Sequence, residues 1–302
     1  MVLLKKLDRI NCPGQHLKYE ITKFNPLDWL VNKDKDSSAH KIFEVDGYII
    51  DKFNKTSGNF TRIEVASEDI KIFENSELFK EIISKYKDKI FLNNIFADLL
   101  EVNHWVLVTL NNYPMNYSLK EKGVMSLKYK NVNTDLELVS KKFLNIKEVE
   151  EGIKTLRKRS FNNVKKLKSA PSYLSCYLNN NTGNPFPGDC DGIFFDTSSK
   201  KVISIIEFKT HNIDSPIKNE YIGKYGKQDW RRFKVLYALQ KNIELKQGLK
   251  PKLYYVAWGT KNIENHKYIK IDQIDNNKIL NSELIKKPIF GKFDKKFFQT
   301  FI

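Results

Sequence analysis

The chain has 302 residues, 41% of them hydrophobic and 13% aromatic, with a formal net charge of +16. That length suits one large domain or two modest ones with separate cores, and the apolar content excludes wholesale disorder. No apolar run approaches the roughly 20 residues of a membrane span, and a surplus of positive charge disfavours basic partners and favours polyanions such as nucleic acid.

The first 140 residues or so alternate strand-like runs, Lys41–Asp51 and His104–Leu110, with a helical stretch near Ser76–Lys89. Between Lys141 and Lys168, Phe143, Ile146, Val149, Ile153 and Leu156 recur at helical spacing, which predicts a long charged helix. Its acids come early and its bases late, as the helix dipole favours. A shorter helix is expected over Ser172–Leu178, after Pro171. Then the pattern changes. Asp191–Asp196 reads as a short strand, Thr197–Lys200 as a turn, and Val202–Phe208 as a buried β-branched strand. A helix at about Gln228–Leu245 and a buried strand at Lys252–Trp258 follow. The last 40 residues read only as mixed surface elements. The order implies an α/β core on a mixed sheet, with an N-terminal α+β domain over 1–140 for recognition or partner binding and a second domain over 141–302.

Alternation on Val202–Phe208 sends Glu207 and Lys209 to one face and Phe208 to the other. A three-residue loop, Ser198–Lys200, would set Asp191 directly across from Glu207, with Cβ atoms about 4.5–5.5 Å apart. Two carboxylates that close repel unless a cation lies between them, and a hard divalent ion such as Mg²⁺ takes one or two carboxylates and keeps room for water and phosphate. Phosphodiester hydrolysis needs that arrangement, with Lys209 orienting the attacking water or neutralising developing charge. A one-residue slip in register would break it.

Asp191-Gly192-Ile193-Phe194-Phe195, a turn, and Ile205-Ile206-Glu207-Phe208-Lys209-Thr210 together resemble the PD-(D/E)XK nuclease superfamily, which includes restriction endonucleases. The resemblance implies a restriction-endonuclease-like αβββαβ core. It also implies metal ligation by Asp191, Glu207 and the Phe208 carbonyl, Lys209 as the catalytic lysine, and Mg²⁺ as cofactor with Mn²⁺ substituting. No proline directly precedes Asp191, and Asp189 on the same strand face competes as first ligand or adds a second one. Glu150 or Glu151 would be the further acid the family often draws from a preceding helix. Gln228 and Tyr237 lack the spacing of the RecB-like branch and take no role.

A second Glu-x-Lys, Glu244-Leu245-Lys246, ends a helical pattern, where i and i+2 do not share a face. The motif alone is therefore weak, and strand context carries the one at 207. Arg231, Arg232 and Lys234 are either phosphate clamps or the wet face of an amphipathic helix. The basic stretch Lys154–Lys168 poses the same choice. Trp230 and Tyr237 would stack on a base or, as the blander reading, pack on the sheet. The five histidines show no metal-ligand spacing, and His211, two residues beyond Lys209, either approaches the phosphate or, as the preferred reading, is a solvated loop residue. Cys12, Cys176 and Cys190 are scattered thiols that fit a reducing compartment. With no h-region at the N-terminus, a cytoplasmic protein without membrane contact is expected. Asp46-Gly47-Tyr48-Ile49-Ile50-Asp51 with Arg62-Ile63-Glu64-Val65-Ala66 echoes the second hairpin with alanine in place of lysine; a coincidental hairpin is the preferred reading and an inactive duplicate the alternative.

The expected function is a metal-dependent nuclease, DNA favoured over RNA, in a restriction or antiphage-defence setting. Cutting both strands of a duplex would suit a homodimer. Only six arginines (9, 62, 157, 159, 231, 232) occur in a chain rich in Lys, Asn and Ile; an AT-rich genome imposes the same bias, so charge alone does not decide for a nucleic-acid partner. An RNA-cleaving enzyme, a non-catalytic binding protein on the same fold and a ligand-activated effector are the rivals.

Overall fold

The computed structural model describes residues 4–5, 10–15, 24–31, 39–161, 166–224, 227–276 and 278–302, and the side chains at 4–5 and 227–231 lie outside that description. The described chain is a mixed α/β protein with five α-helices. It divides into two compact units, Met1–Ile21 with Asp46–Gly188, and Thr22–Val45 with Asp189–Ile302. This differs from the boundary expected near residue 140: residues 22–45 join the second unit, and 141–188 stay with the first. No helix of the described residues is long and apolar enough to cross a membrane.

In the first unit, β1 (Leu4–Lys5) pairs with the later strand Thr56–Val65, and β2 (Ile10–Asn11) opens a small separate sheet. The end of β3 (His40–Ile50) runs antiparallel to β4 (Thr56–Val65). Helix α1 (Ser76–Leu99) crosses over to β5 (His104–Leu110), which is parallel to β4. β6 (Val124–Val132) and β7 (Asp135–Leu144) complete an antiparallel meander. α1 is packed by a core of Ile63, Val65, Phe73, Leu78, Ile82, Ile90, Val106 and Val108. The long helix expected over 141–168 is shorter. Phe143 belongs to β7, and α2 (Ile146–Arg157) starts only where Asn145 caps it: the Asn145 side chain accepts from the Glu148 amide while the Glu148 carboxylate accepts from the Asn145 amide. Lys158 then takes a left-handed conformation and closes the helix. β8 (Ser169–Ala170) and α3 (Tyr173–Asn181) finish the unit.

β2 pairs with β8, and that pairing brings Cys12 and Cys176 to a Cα separation of 5.4 Å, where they form a disulfide closing a span of 164 residues. The reading of three free thiols in a reducing compartment is therefore corrected. Sequence spacing carries no trace of a bond made by distant strands, and such a bond belongs to oxidising surroundings. Cys190 is free and buried.

The second unit repeats the strand–strand–helix–strand order. β9 (Gly188–Asp196) is antiparallel to β10 (Lys201–His211), and α4 (Lys227–Gln247) crosses over to β11 (Lys252–Gly259), parallel to β10. β12 (Tyr268–Asp275) and β13 (Lys278–Lys286) extend the sheet antiparallel, and α5 (Lys295–Gln299) closes the chain. In the sheet order β3 follows β9 on its free side. One face of the sheet packs Phe194, Ile206, Tyr254, Val256 and Trp258 against Trp29, Phe297 and Phe301. Gly192 lies on that face because a Cβ there would press on Leu27 Cδ2 at 3.3 Å. The last 40 residues, expected as surface elements, thus contribute in part to the core, while most of β13 stays exposed. Ile269, Ile271, Phe297 and Phe301 are buried, but strands this short and a helix of five residues give too little periodicity to read.

The disulfide has a direct consequence. Thiol titration of the denatured, unreduced protein is expected to find one reactive thiol per chain, Cys190, and three after reduction; three before reduction would contradict the Cys12–Cys176 bond.

Candidate active site

The β9–β10 hairpin sets the site. Its ladder pairs Ser204 with Phe194, Ile205 with Ile193 and Ile206 with Gly192. One further step along that register faces Asp191 with Glu207, as expected from the sequence, but by another route. The turn has four residues, 197–200, and a bulge between Val202 and Ser204 restores the register. Lys200 supplies the left-handed residue of the turn (φ 55°) and Asp196 caps it by accepting from the Ser198 amide at 2.9 Å.

Asp189, Asp191 and Glu207 converge on the guanidinium of Arg232, from α4. Arg232 Nη2 lies 3.3 Å from Asp189 Oδ1 and 3.7 Å from Asp191 Oδ1, and its Nε–H donates to Glu207 Oε1. Asp191 Oδ2 accepts from the Phe208 amide at 2.7 Å, which fixes that carboxylate against β10. Glu207 is buried to 3% exposure, and among the described residues its Oε2 has no hydrogen-bond partner. Such an atom costs about 1–3 kcal/mol if left unpaired, so the pocket asks for another cation or donor than Arg232 alone. One guanidinium shared by three carboxylates leaves the cluster acidic. Arg232 was expected as a phosphate clamp or a solvated residue; its contacts are with acids on the site, and its side chain stays 44% exposed. Lys209 is half-buried two residues beyond Glu207, hence on the same strand face.

Burial drives the titration of these groups. It raises Glu207 well above the ordinary carboxylate range, opposed by Arg232 and reinforced by Asp191 and Asp189. It raises Asp191 to about 6, again opposed by Arg232 and reinforced by Asp189, with Glu44 of β3 adding to the push. On Arg232 burial works against the charge, yet Glu207, Asp189 and Asp191 outweigh it and hold the guanidinium above its usual pKa. Displaced carboxyl pKa values in one cluster mark a candidate functional site.

Other expected residues stand apart. Lys234 is exposed, and the side chains of Gln228, Trp230 and Arg231 lie outside the described residues. Tyr237 rests against Phe233 one turn earlier on α4, their ring centroids 6.2 Å apart. Glu150 accepts from Asn184 and Glu151 pairs with Lys154, both within the first unit. The basic stretch expected over Lys154–Lys168 is not one helix face, since α2 ends at Arg157. His211 is no solvated loop residue. It is buried at the end of β10, its Nδ1 2.8 Å from Glu220 Oε2 and its Nε2 2.8 Å from the Ser215 carbonyl. Lys224 also reaches Glu220, at 3.0 Å. This network ties down the segment after Lys209, and no sequence pattern signalled it, because its partners follow a strand end in irregular chain.

No family model matches the chain, and no curated protein matches it. A solved structure described as the crystal structure of a sex pheromone staph-cAM373 precursor aligns over 95% of this chain and 85% of that chain, at 12% identity and a TM-score of 0.22. A likeness at that score carries no argument about fold or function.

The acid cluster predicts a pH signature. Acids whose folded pKa is raised are bound to protons more tightly in the folded state, so their stabilising contribution is full below the unfolded value near 4 and is lost as pH rises through about 6. In EDTA, thermal stability of the wild type relative to Asp191→Asn is expected to fall between pH 4 and 7; a difference that stays flat over that range would contradict the shift.

Proposed function

We propose that the second unit is a metal-dependent nuclease that hydrolyses phosphodiester bonds, with DNA the favoured substrate. The observation that carries this reading is the convergence of Asp189, Asp191 and Glu207 on one cation, with Glu207 Oε2 left unpartnered among the described residues. Hard carboxylate oxygens of that number suit Mg²⁺ or Mn²⁺. Asp191, Glu207 and the Phe208 carbonyl would hold the ion, with Asp189 beside them. When bound, it supplies Lewis-acid polarisation of the phosphate and a lowered pKa for water. The restriction-endonuclease-like core is part of the proposal: β3, β9, β10, α4 and β11 offer its strand–strand–strand–helix–strand portion, the first strand drawn from residues 40–45.

The chain's own groups divide the remaining work. Lys209 shares the strand face of Glu207, where its ammonium neutralises charge building on the phosphate and orients the attacking water. With an ion held by these acids, Arg232 would have to release at least one carboxylate, and its guanidinium would then be free to fork onto phosphate oxygens. Burial of Glu207 keeps bulk water from solvating its charge, which strengthens every interaction in the cluster. The charge of +16 favours a polyanion. A restriction or antiphage-defence role is the setting that best joins these features. A cytoplasmic location belongs to that proposal and stands against the Cys12–Cys176 disulfide. A homodimer would provide two sites for a duplex.

The test is cleavage of matched DNA and RNA with Mg²⁺ or Mn²⁺ and with EDTA. Wild type is expected to cut DNA only with metal, and Lys209→Ala to lower the rate about 100- to 1000-fold while salt-dependent binding persists. Cutting of RNA alone would move the substrate. A wild type that binds nucleic acid but never cuts with either ion would favour a non-catalytic binding protein.

A further inference from the structure

The two units repeat each other in detail. Each starts with an antiparallel hairpin, crosses through a helix to a parallel strand, and ends in two antiparallel strands. In the first hairpin Gly47 faces Phe60, Tyr48 faces Asn59, Ile49 faces Gly58 and Ile50 faces Thr56. In the second Gly192 faces Ile206, Ile193 faces Ile205, Phe194 faces Ser204 and Phe195 faces Val202. Counted from the glycine, the extra residue of the bulge falls at the same step, Ser57 in one and Ile203 in the other.

Smaller features coincide as well. Asp51 and Asp196, each four residues past its glycine, cap their turns by accepting from the amide two residues on, at 2.8 and 2.9 Å. Left-handed Asn54 and Lys200 each precede the residue that re-enters the ladder. A Cβ on Gly47 would meet Phe186 and Pro187 at 3.2 Å, as one on Gly192 would meet Leu27. Left-handed Asn133 and Asn276 both open the tight turn of the final hairpin. Each feature is common, but their agreement in order and register is not expected of unrelated hairpins.

We infer that the chain is two copies of one module, and that the first copy is a retired form whose ion site is closed from within by Lys89. The equivalence is read from matching hydrogen bonds: the Arg62 amide donates to Asp46 Oδ2 at 2.9 Å as the Phe208 amide donates to Asp191 Oδ2. Asp46 then corresponds to Asp191, Thr61 to Glu207 and Ile63 to Lys209. The echo in the sequence set Glu64 against Glu207 and Ala66 against Lys209, which is three residues out of register. The acid of Glu207 is replaced by Thr61, the position of Asp189 holds Glu44, whose charge bears on Asp191 of the second copy, and Asp46 has Lys89 Nζ of the crossover helix 2.8 Å from its Oδ1. Thr61 is occupied by His104 at 2.9 Å, and His104 by Asn94 at 2.6 Å. Asp46 is 5% exposed, and its two oxygens are matched by an ammonium and an amide. No vacancy remains for a divalent ion.

The duplication stands apart from the metal reading of the second unit; assigning ion binding to the second copy alone rests on that reading. The experiment is thermal unfolding of the full chain in EDTA and in Mn²⁺ for wild type, Asp46→Asn, Lys89→Met and Glu207→Gln. In EDTA, Asp46→Asn and Lys89→Met are expected to lower the melting temperature by at least about 3 °C, because each strands a buried partner. Glu207→Gln is expected to hold or raise it, since a buried charge among other acids is removed. The rise in melting temperature on adding Mn²⁺ is expected to be unchanged in Asp46→Asn and lost in Glu207→Gln. If Asp46→Asn leaves the melting temperature unchanged or raises it, or shrinks the Mn²⁺ effect, the inference is overturned. A wild type that does not respond to Mn²⁺ sinks the metal reading alone, and the EDTA results still decide whether Asp46 is a sealed structural pair.

Discussion

Three carboxylates share one guanidinium on one face of a two-stranded hairpin, with Glu207 buried at its centre, and the candidate site of the second unit is arranged around keeping them there. Folding alone would not assemble this cluster, because burial penalises each charge and the acids repel one another. The Phe208 amide holds Asp191, Arg232 holds Glu207, and the apolar strands on the other face of the sheet supply the stability that the cluster spends. Under the proposed metal reading, a divalent ion held by these acids would relieve the repulsion and satisfy Glu207 Oε2 together.

The first unit shows the same backbone with the cost removed. A threonine in place of Glu207, an ammonium fixed beside Asp46, and a threonine, a histidine and an asparagine linked in sequence leave both oxygens of Asp46 answered. Burial pushes the His104 imidazole down to about 3, so it serves there as a neutral hydrogen-bonding link. The contrast shows how one topology can hold a crowded acid cluster in one copy and a satisfied pair in the other: the difference lies in one facing position, Thr61 against Glu207, and in the helix cation, Lys89 against Arg232.

Much of this was legible in the sequence and some was not. The β-branched run ending at Glu207 and the Asp-Gly opposite it predict the hairpin, because strand alternation is a local property. Its register came out as expected only because a longer turn and the bulge beyond Val202 offset one another. Arg232 was among the candidates but with the wrong partners, since a helix residue's contact with strand residues as far as 43 positions away is set by packing. Cys12–Cys176, the placement of residues 40–45 beside β9, and the C-terminal core escaped for the same reason: each depends on chain segments far apart in sequence. The repeat was visible as an echo but misaligned by three residues, because Glu64 attracted the match while the hydrogen bond from the Arg62 amide to Asp46 defines the true register.

The central claim is that the Asp191–Glu207 cluster is a divalent-ion site, and the direct measurement is a crystal structure of the full chain soaked in Mn²⁺ with anomalous data. The account predicts an anomalous peak in contact with both carboxylates, the Phe208 carbonyl turned to it and Arg232 withdrawn from Glu207. Carboxylates still closed on Arg232 at saturating Mn²⁺, with no peak between them, would contradict it.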